Sequence, residues 1–375
     1  MVKSIHVKTD MSISADLPYY VPSLPPKIDL ESVAILKRVA QAHRHLAELK
    51  GVSATIPNQT ILINTLALQE AKDSSAIENI ITTHDELFQE EIFSESSRGS
   101  AAKEVRQYAG ALKKGFELVK KNDLLTNNHI LEIQSELEVS QAGYRNRPGT
   151  KLRNADTGEI VYTPPQALAE IVRLMESLEK FINNDALSSA DPLVKMALIH
   201  HQFETIHPFF DGNGRTGRII NILYLVQKGL LNIPVLYLSR YIIQRKSEYY
   251  RLLQAVRQEG VWEEWILFML EGIEKTSKQT IAIVQAIGRA MQDYKHRIRG
   301  KYHFYSQDLL NNLFSHPYTK IDFIRRDLGV TRLTAARYLK QLTDDGFLRK
   351  KRMGRSNYYV NVVLFDLLTN PPAIS

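Results

Sequence analysis

The stretch HPFFDGNGRTGR occupies His207–Arg218. Within it, Gly212, Gly214 and Gly217 keep the G-x-G-x-x-G spacing of a dinucleotide-binding loop. That loop has a defined setting: it follows a buried apolar strand and opens a helix inside a βαβ unit. The residues before it here are LIHHQFETI, rich in His and Gln, with helical spacing through Leu198, His201 and Thr205. No alternation of strand and helix patterns runs along the chain, so the setting excludes the dinucleotide fold. A P-loop is excluded too, because no Gly-Lys-Ser/Thr follows the glycines.

Part of the physics survives. A glycine turn feeding a helix exposes unpaired N–H groups where the helix dipole favours an anion. Arg215 and Arg218 stand three apart, on one helix face, within reach of one polyphosphate. Asp211 offers a hard oxygen suited to the Mg²⁺ that accompanies nucleotide phosphates. A neutral His207 can take a proton from an incoming hydroxyl. A base, a metal carboxylate, an amide cradle and two arginines amount to a phosphoryl- or nucleotidyl-transfer site.

The 375 residues suffice for two or three domains. There is no cysteine, which rules out disulfides, thiolate metal sites and cysteine nucleophiles. No apolar run approaches a membrane span, and the first 20 residues lack the apolar core of a secretory signal, so a cytoplasmic protein without membrane partners is expected. Charge is placed unevenly. Residues 297–360 hold 14 Lys/Arg against 5 Asp and no Glu, a net +9 within a total of +7. The rest of the chain is therefore −2, and the basic character belongs to the C-terminal end.

Residues 1–30 carry proline and turn signals and read as an arm over a larger body. Helical spacing begins near Glu31 and continues through Ile61–Ile80, 101–121 and 127–139. It breaks over Gly143–Pro165, which reads as a hairpin: strands Thr150–Arg153 and Glu159–Tyr162 about a turn at Asp156-Thr157-Gly158. Further helices are expected at 166–184, Asp191–Ile206, Arg215–Gln227, Ser247–Gln258 and Trp262–Tyr294. The end of the chain then reads helix, tight turn, helix, basic hairpin, a winged helix-turn-helix pattern. In it Gly329 stops the first helix and Thr331 caps the second. Leu333, Ala336, Leu339 and Leu342 are assigned to the second helix's apolar face, and Gly354 to the hairpin tip.

His207–Arg218 resembles the Fic (Fido) family motif H-P-F-x-[D/E]-G-N-G-R-x-x-R at every specified position. The resemblance extends from about Ile61 to Tyr294, through the flap-like hairpin ending at Tyr162-Thr163-Pro164-Pro165 and through Tyr249-Tyr250. It implies a mainly α fold: a Fic-type helical bundle with a short β-hairpin flap, plus a C-terminal winged-helix domain. The implied division is an arm and accessory helix at 1–55, a catalytic domain at 56–295 with the flap at 143–165, and the winged helix at 300–375.

By the same resemblance the chain is a protein adenylyltransferase, transferring AMP from ATP to Tyr, Thr or Ser hydroxyls of a target protein and of itself. His207 is the base, and Asp211 holds Mg²⁺. Gly212, Asn213 and Gly214 cradle phosphates, with Thr216 and Gly217 completing the binding stretch. Arg215 contacts the β-phosphate and Arg218 the γ-phosphate. Val161, Tyr162 and Thr163 border the nucleotide from the flap, and Tyr249 approaches the adenine. Ser74-Ser75-Ala76-Ile77-Glu78-Asn79 is similar to the family's inhibitory [S/T]-x-x-x-E-[G/N], on a helix over about 60–80. The implication is that Glu78 pairs with Arg218 and blocks the γ-phosphate, with Ser74 bonded to the Glu78 carboxylate and Asn79 completing the motif. Candidate partners are ATP, the hydroxyl-bearing target, a second copy of the chain, and DNA at the winged helix. The competing readings are a nucleotide-sensing transcriptional regulator, and a Fic enzyme that removes AMP or transfers another phosphate-linked group.

Overall fold

The computed structural model describes residues 21–84, 86–87, 101–140, 143–154, 157–353 and 356–372. Asp156, Gly354 and the first 20 residues of the expected arm lie outside these. Helices dominate. In chain order they begin with α1 (Val33–Ser53), α2 (Thr60–Ile77), α3 (Ala101–Asn122) and α4 (Asn127–Glu138). A two-stranded antiparallel ribbon follows, β1 (Leu152–Arg153) and β2 (Ile160–Tyr162), pairing Leu152 with Tyr162. Next come α5 (Leu168–Asn183), α6 (Pro192–Ile206), α7 (Asn213–Gln227), α8 (Leu238–Gln244), α9 (Lys246–Glu259) and the 40-residue α10 (Trp262–Lys301).

The centre of the body is α6, whose residues from Leu193 to Ile206 are all buried. It starts where its sequence dictates. The Asp191 side chain accepts from the Leu193 N–H, and Pro192 fills the first turn, where no N–H is needed. α7 packs against α6 and is buried from Asn213 to Leu225 except for Gly214. A helix apolar around most of its circumference belongs in an interior, so this antiparallel pair forms the core around which α2, α3, α5 and α10 close. The end of the described arm reaches it: Gln202 donates to the Pro22 carbonyl at 2.9 Å.

The C-terminal unit comprises α11 (Gln307–Ser315), β3 (Tyr318–Thr319), α12 (Ile321–Leu328), α13 (Arg332–Asp344), β4 (Arg349–Met353), β5 (Ser356–Val360) and α14 (Val362–Thr369), with strand order β3-β5-β4. The expected order of helix, turn, helix and hairpin is present. Gly329 ends α12 at φ +64°, and the Thr331 hydroxyl accepts from the Thr334 N–H. Two assignments are corrected. Ala336 is only half-buried, while its neighbour Ala335 is buried. Leu333 is 84% exposed, and the face turned inward is Ala335, Leu339 and Leu342. A 3.6-residue period puts 335, 339 and 342 on one stripe, while 333 falls on the opposite side.

No break separates the helical body from this unit. α10 continues past the expected end at Tyr294 to Lys301. The one Tyr294 hydroxyl proton faces two acceptors, the Phe347 carbonyl at 2.8 Å and Asn361 Oδ1 at 3.0 Å, and its ring meets Phe314 and Phe347 edge-on.

Candidate active site

α6 stops at Ile206 because His207 adopts a left-handed conformation, φ +48°, ahead of Pro208. A residue before proline is disfavoured in the helical region, so the chain turns out of the helix there. It re-enters a helix at Gly212, φ +74°, where a β-carbon would lie 2.5 Å from Glu138 Oε1. Only glycine fits on both counts. The Asn213 side chain fixes the turn between, accepting from the Phe209 N–H and donating to the Phe209 carbonyl, both at 2.8 Å. Asn213 is therefore a clamp on the loop as well as part of the stretch opening α7.

These residues wall a cavity of about 340 Å³ that takes in Glu78, Glu204, His207, Asp211, Gly212, Asn213, Gly214, Arg218, Tyr249 and Tyr250. Such a size suits a small-molecule ligand. Of the residues expected at the site, Glu78, His207, Asp211, Gly212, Asn213, Gly214, Arg218 and Tyr249 line it, whereas Arg215, Thr216, Gly217 and the Val161–Thr163 limb do not. On the flap side the lining runs over Arg147–Thr150 and Leu152. Val161, Tyr162 and Thr163 belong to the opposite limb. Tyr162 turns into the body, donating to the Thr205 carbonyl at 2.9 Å beneath the Arg257 guanidinium, 4.1 Å from the ring centre. Tyr249 is buried, bonded to His200 Nε2 at 2.8 Å and tilted against Trp265. His200 stacks on Trp265, and His201 is bonded to the Leu253 carbonyl, so these two are packing residues.

The arginines are engaged by carboxylates. Arg218 Nη2 donates to Glu78 Oε1 at 2.9 Å, and Arg215 Nε donates to Glu78 Oε2 at 2.9 Å. Arg215 further meets Glu138 at 2.7 Å and Glu104 at 3.4 Å. Gly214 leaves room for this bridge, since a β-carbon there would lie 2.6 Å from Glu78 Oε1. The expected Ser74–Glu78 bond is corrected: the Ser74 hydroxyl accepts from Arg218 Nε at 2.7 Å, and its carbonyl accepts from Nη2 at 3.0 Å. Buried beside Arg218, the hydroxyl finds a charged donor, which makes the stronger bond. Glu78 itself is the C-cap of α2. Asn79 follows at φ +64°, its N–H on the Ala76 carbonyl, and the Ile80 N–H reaches the Ser75 carbonyl. That Schellman arrangement asks for Gly or Asn at the left-handed position, which gives the last place of the hexapeptide a physical reason.

Electrostatics follow from burial. His207 is pushed down to about 3 by desolvation, with Arg145 and Arg257 nearby opposing a second positive charge. Its imidazole is neutral at pH 7. Arg218 is held charged: burial opposes the charge, but Glu78 together with Tyr249, Tyr108 and Glu204 more than offsets it. Asp211 stands at the mouth, 42% exposed, one oxygen accepting the Gly212 N–H at 2.7 Å. No cluster of three or more metal-ligating side chains occurs among the described residues. One carboxylate at a phosphate cradle fits Mg²⁺, which takes one or two protein oxygens and draws its other ligands from phosphates and water.

Sequence reasoning missed several contributors. Arg145 is fully buried between flap and loop, its N–H groups donating to the carbonyls of His207 at 2.8 Å, Ile206 at 3.4 Å and Pro165. An arginine in the Gly/Pro-rich loop Gly143–Pro148 was the available signal. Glu104, Glu138, Glu204 and Arg257 sit on ordinary helical patterns and gave none.

A neutral histidine, a glycine-turn helix start and the buried Arg218 share one cavity on a helical bundle, with Arg215 buried behind it. The Fic/DOC family model matches residues 124–225, the Fic/DOC N-terminal model 36–117, and the C-terminal domain model of SoFic-like protein adenylyltransferases 290–364. The chain belongs to the Fic family. It is 31% identical over 112 residues to the protein adenylyltransferases Fic of Drosophila erecta and Drosophila melanogaster, covering 30% of this chain and 21% of each relative. It thus spans about a fifth of the length of these curated relatives. A Fic family protein from Desulfovibrio desulfuricans shares the fold, with TM-score 0.56 and 21% identity over 91% of this chain and 98% of that one. A Fic domain-containing signalling protein from Bacteroides thetaiotaomicron matches at TM-score 0.52 and 19% identity, over 66% and 97%. No helix among the described residues is long and apolar enough to cross a membrane.

Proposed function

We propose that this chain transfers AMP from ATP to a hydroxyl of a protein side chain and that Glu78 holds the reaction in check. The carrying observation is the single cavity shared by neutral His207, the Gly212–Gly214 turn and Glu78-bound Arg218. His207 takes the proton from a Tyr, Thr or Ser hydroxyl. Its oxygen forms a bond to the α-phosphorus, the bond from that phosphorus to the bridging oxygen breaks, and pyrophosphate leaves. The amides opening α7 and the arginines meet the phosphate charge. Asp211 would hold Mg²⁺, which neutralises charge between adjacent phosphates. Tyr249 and Tyr250 line the cavity on the side of Arg218. The matched relatives' name, protein adenylyltransferase, supports the same reading.

Glu78 competes with the terminal phosphate for Arg218 and also pairs with Arg215, which Glu138 and Glu104 engage as well. Incubation of wild type and Glu78→Gly with labelled ATP, Mg²⁺ and the protein itself tests this. Strong labelling of its own hydroxyls in the variant and weak labelling in wild type is expected. No AMP on either would overturn the transfer reading.

The C-terminal unit suggests a second activity, binding of duplex DNA. Arg332, Arg337 and Lys340 are all exposed along α13, next to the basic edge strand Arg349–Met353. Such a row suits phosphate contacts.

A further inference from the structure

Glu204 lies on α6 one turn before His207, lines the same cavity, and is 5% exposed. Its Oε1 is buried with no hydrogen-bond partner. An orphaned carboxyl oxygen in a buried site is costly to the fold, so it invites a role. The packing makes room for it: a β-carbon on Gly217 would lie 2.9 Å from this oxygen. Gly217, in the motif helix, thus lets a carboxyl stand beside Arg218.

Resting on the nucleotide reading above, we propose that the Glu204 carboxyl is a further nucleotide-contacting group, donating a hydrogen bond to the phosphate end of the nucleotide beside Arg218. The charged groups facing it are Arg218 on α7, Glu78 at the end of α2 and Arg257 on α9. Tyr249 and Tyr250 of α9 adjoin it, and His200 on its own helix shares the space beside Gly217. Two of the facing charges, Arg218 and Glu78, are those that meet or mimic the terminal phosphate. Glu204 therefore sits at that end of the cavity. An ionised carboxylate there would repel a phosphate, whereas a neutral carboxyl donates to it. Burial pushes Glu204 up to about 7, with Glu78 raising it and Arg218 and Arg257 opposing. A bound phosphate adds negative charge and pushes it further up. Nucleotide binding above pH 7 must then be accompanied by proton uptake at this residue. A carboxylic acid kept neutral by its surroundings so that it can donate is a known catalytic device elsewhere.

The test is calorimetric titration of Mg²⁺–ATP into the full chain carrying Glu78→Gly, which opens Arg218, and His207→Ala, which stops turnover. Heats measured at pH 8 in two buffers of unlike ionisation enthalpy give the protons taken up. Glu204 should account for about one proton per nucleotide, the limit for a single carboxyl. Glu204→Gln, whose amide still donates, should remove that uptake and keep the affinity within about threefold. Glu204→Leu should weaken binding about tenfold or more, as loss of a bond to a charged acceptor requires. Should the Gln variant fail to fold, the pH profile with Glu204 intact decides: affinity should fall several-fold from pH 7 to 9. Equal uptake in the Gln variant, or a flat profile, overturns the proposal. Absence of any nucleotide binding would instead overturn the underlying nucleotide reading, and with it this one.

Discussion

Glu78 Oε1 lies 2.9 Å from Arg218 Nη2, and both side chains are nearly buried, at 13% and 2% exposure. Breaking such a pair by removing one partner costs up to about 3–5 kcal/mol, because it strands a buried charge. Arg215 keeps Glu104 and Glu138, but Arg218 would keep Ser74 as its hydrogen-bond partner. Glu78→Gly should therefore lower the thermal midpoint, and a phosphate supplied by ATP should restore it. Binding to the native state stabilises by about 2.7 kcal/mol at a hundredfold excess over Kd. Scanning calorimetry with and without Mg²⁺–ATP should show a larger nucleotide-induced rise in the variant than in wild type. Equal rises would mean that Glu78 does not compete with the nucleotide.

Asn79 holds the turn that aims Glu78. At φ +64° glycine is unstrained and asparagine is tolerated, while a β-branched residue pays about 1–2 kcal/mol. Asn79→Gly should keep transfer as low as wild type. Asn79→Val should release part of the inhibition, giving transfer between wild type and Glu78→Gly in the same assay. A Val variant as silent as wild type would show that the cap does not position the glutamate.

The sequence made the catalytic stretch readable because its constraints are local. Gly212 must accept a positive φ, His207 must end a helix before Pro208, and Asp191-Pro192 must start one. Helical periods located α2 to α7 within a few residues for the same reason. What stayed hidden depends on side chains meeting across the fold. Ser74 was aimed at its near neighbour Glu78, but Arg218, 144 positions away, offers the charged donor. Arg145 and Glu204 carry no periodic mark, because their roles come from what lies above and below them. Leu333 looked like core from its chemistry, although the register of α13 turns it outward.

Arg145 should prove indispensable without touching the nucleotide. It ties three backbone carbonyls from the flap and from the end of α6, including that of His207. Truncation to Ala strands these acceptors at about 1–3 kcal/mol for each left buried. In a Glu78→Gly background, Arg145→Ala should lower the maximal transfer rate at least about tenfold through misplacement of His207. Arg145→Lys, which cannot span three acceptors, should recover only part. An unchanged rate at full occupancy would separate this arginine from the base.

The DNA reading has its own check. If Arg337 and Lys340 meet phosphates, fluorescence anisotropy on a short duplex should show affinity falling steeply with salt. Changing each to Ala should weaken binding and reduce the logarithmic salt slope by about one per contact. A slope equal to wild type in both variants would remove these residues from the interface.

The pH dependence of transfer follows from His207. Its value of about 3 lies below that of an ordinary histidine, so the ring stays neutral and able to accept a proton across pH 5–8. At saturating ATP the Glu78→Gly chain should therefore show no acid limb centred near 6.5, the midpoint of an unperturbed histidine. Stability should behave differently. Below about 6.5 the unfolded chain takes up protons that folded His207 refuses, as do His200 at about 3 and His84 at about 4. Each contributes a loss of up to about 1.4 kcal/mol per pH unit as pH falls from 6.5 towards those values. Glu70 and Glu204, raised to about 7, act oppositely, gaining stability as pH falls from 7 to 4.5. Below about 4.5 that compensation ends while His207 and His200 still resist protonation, so the thermal midpoint should drop sharply there. Rate and melting profiles over pH 4–8 would measure both, and a rate that halves near pH 6.5 while the fold stays intact would show that His207 is not held neutral.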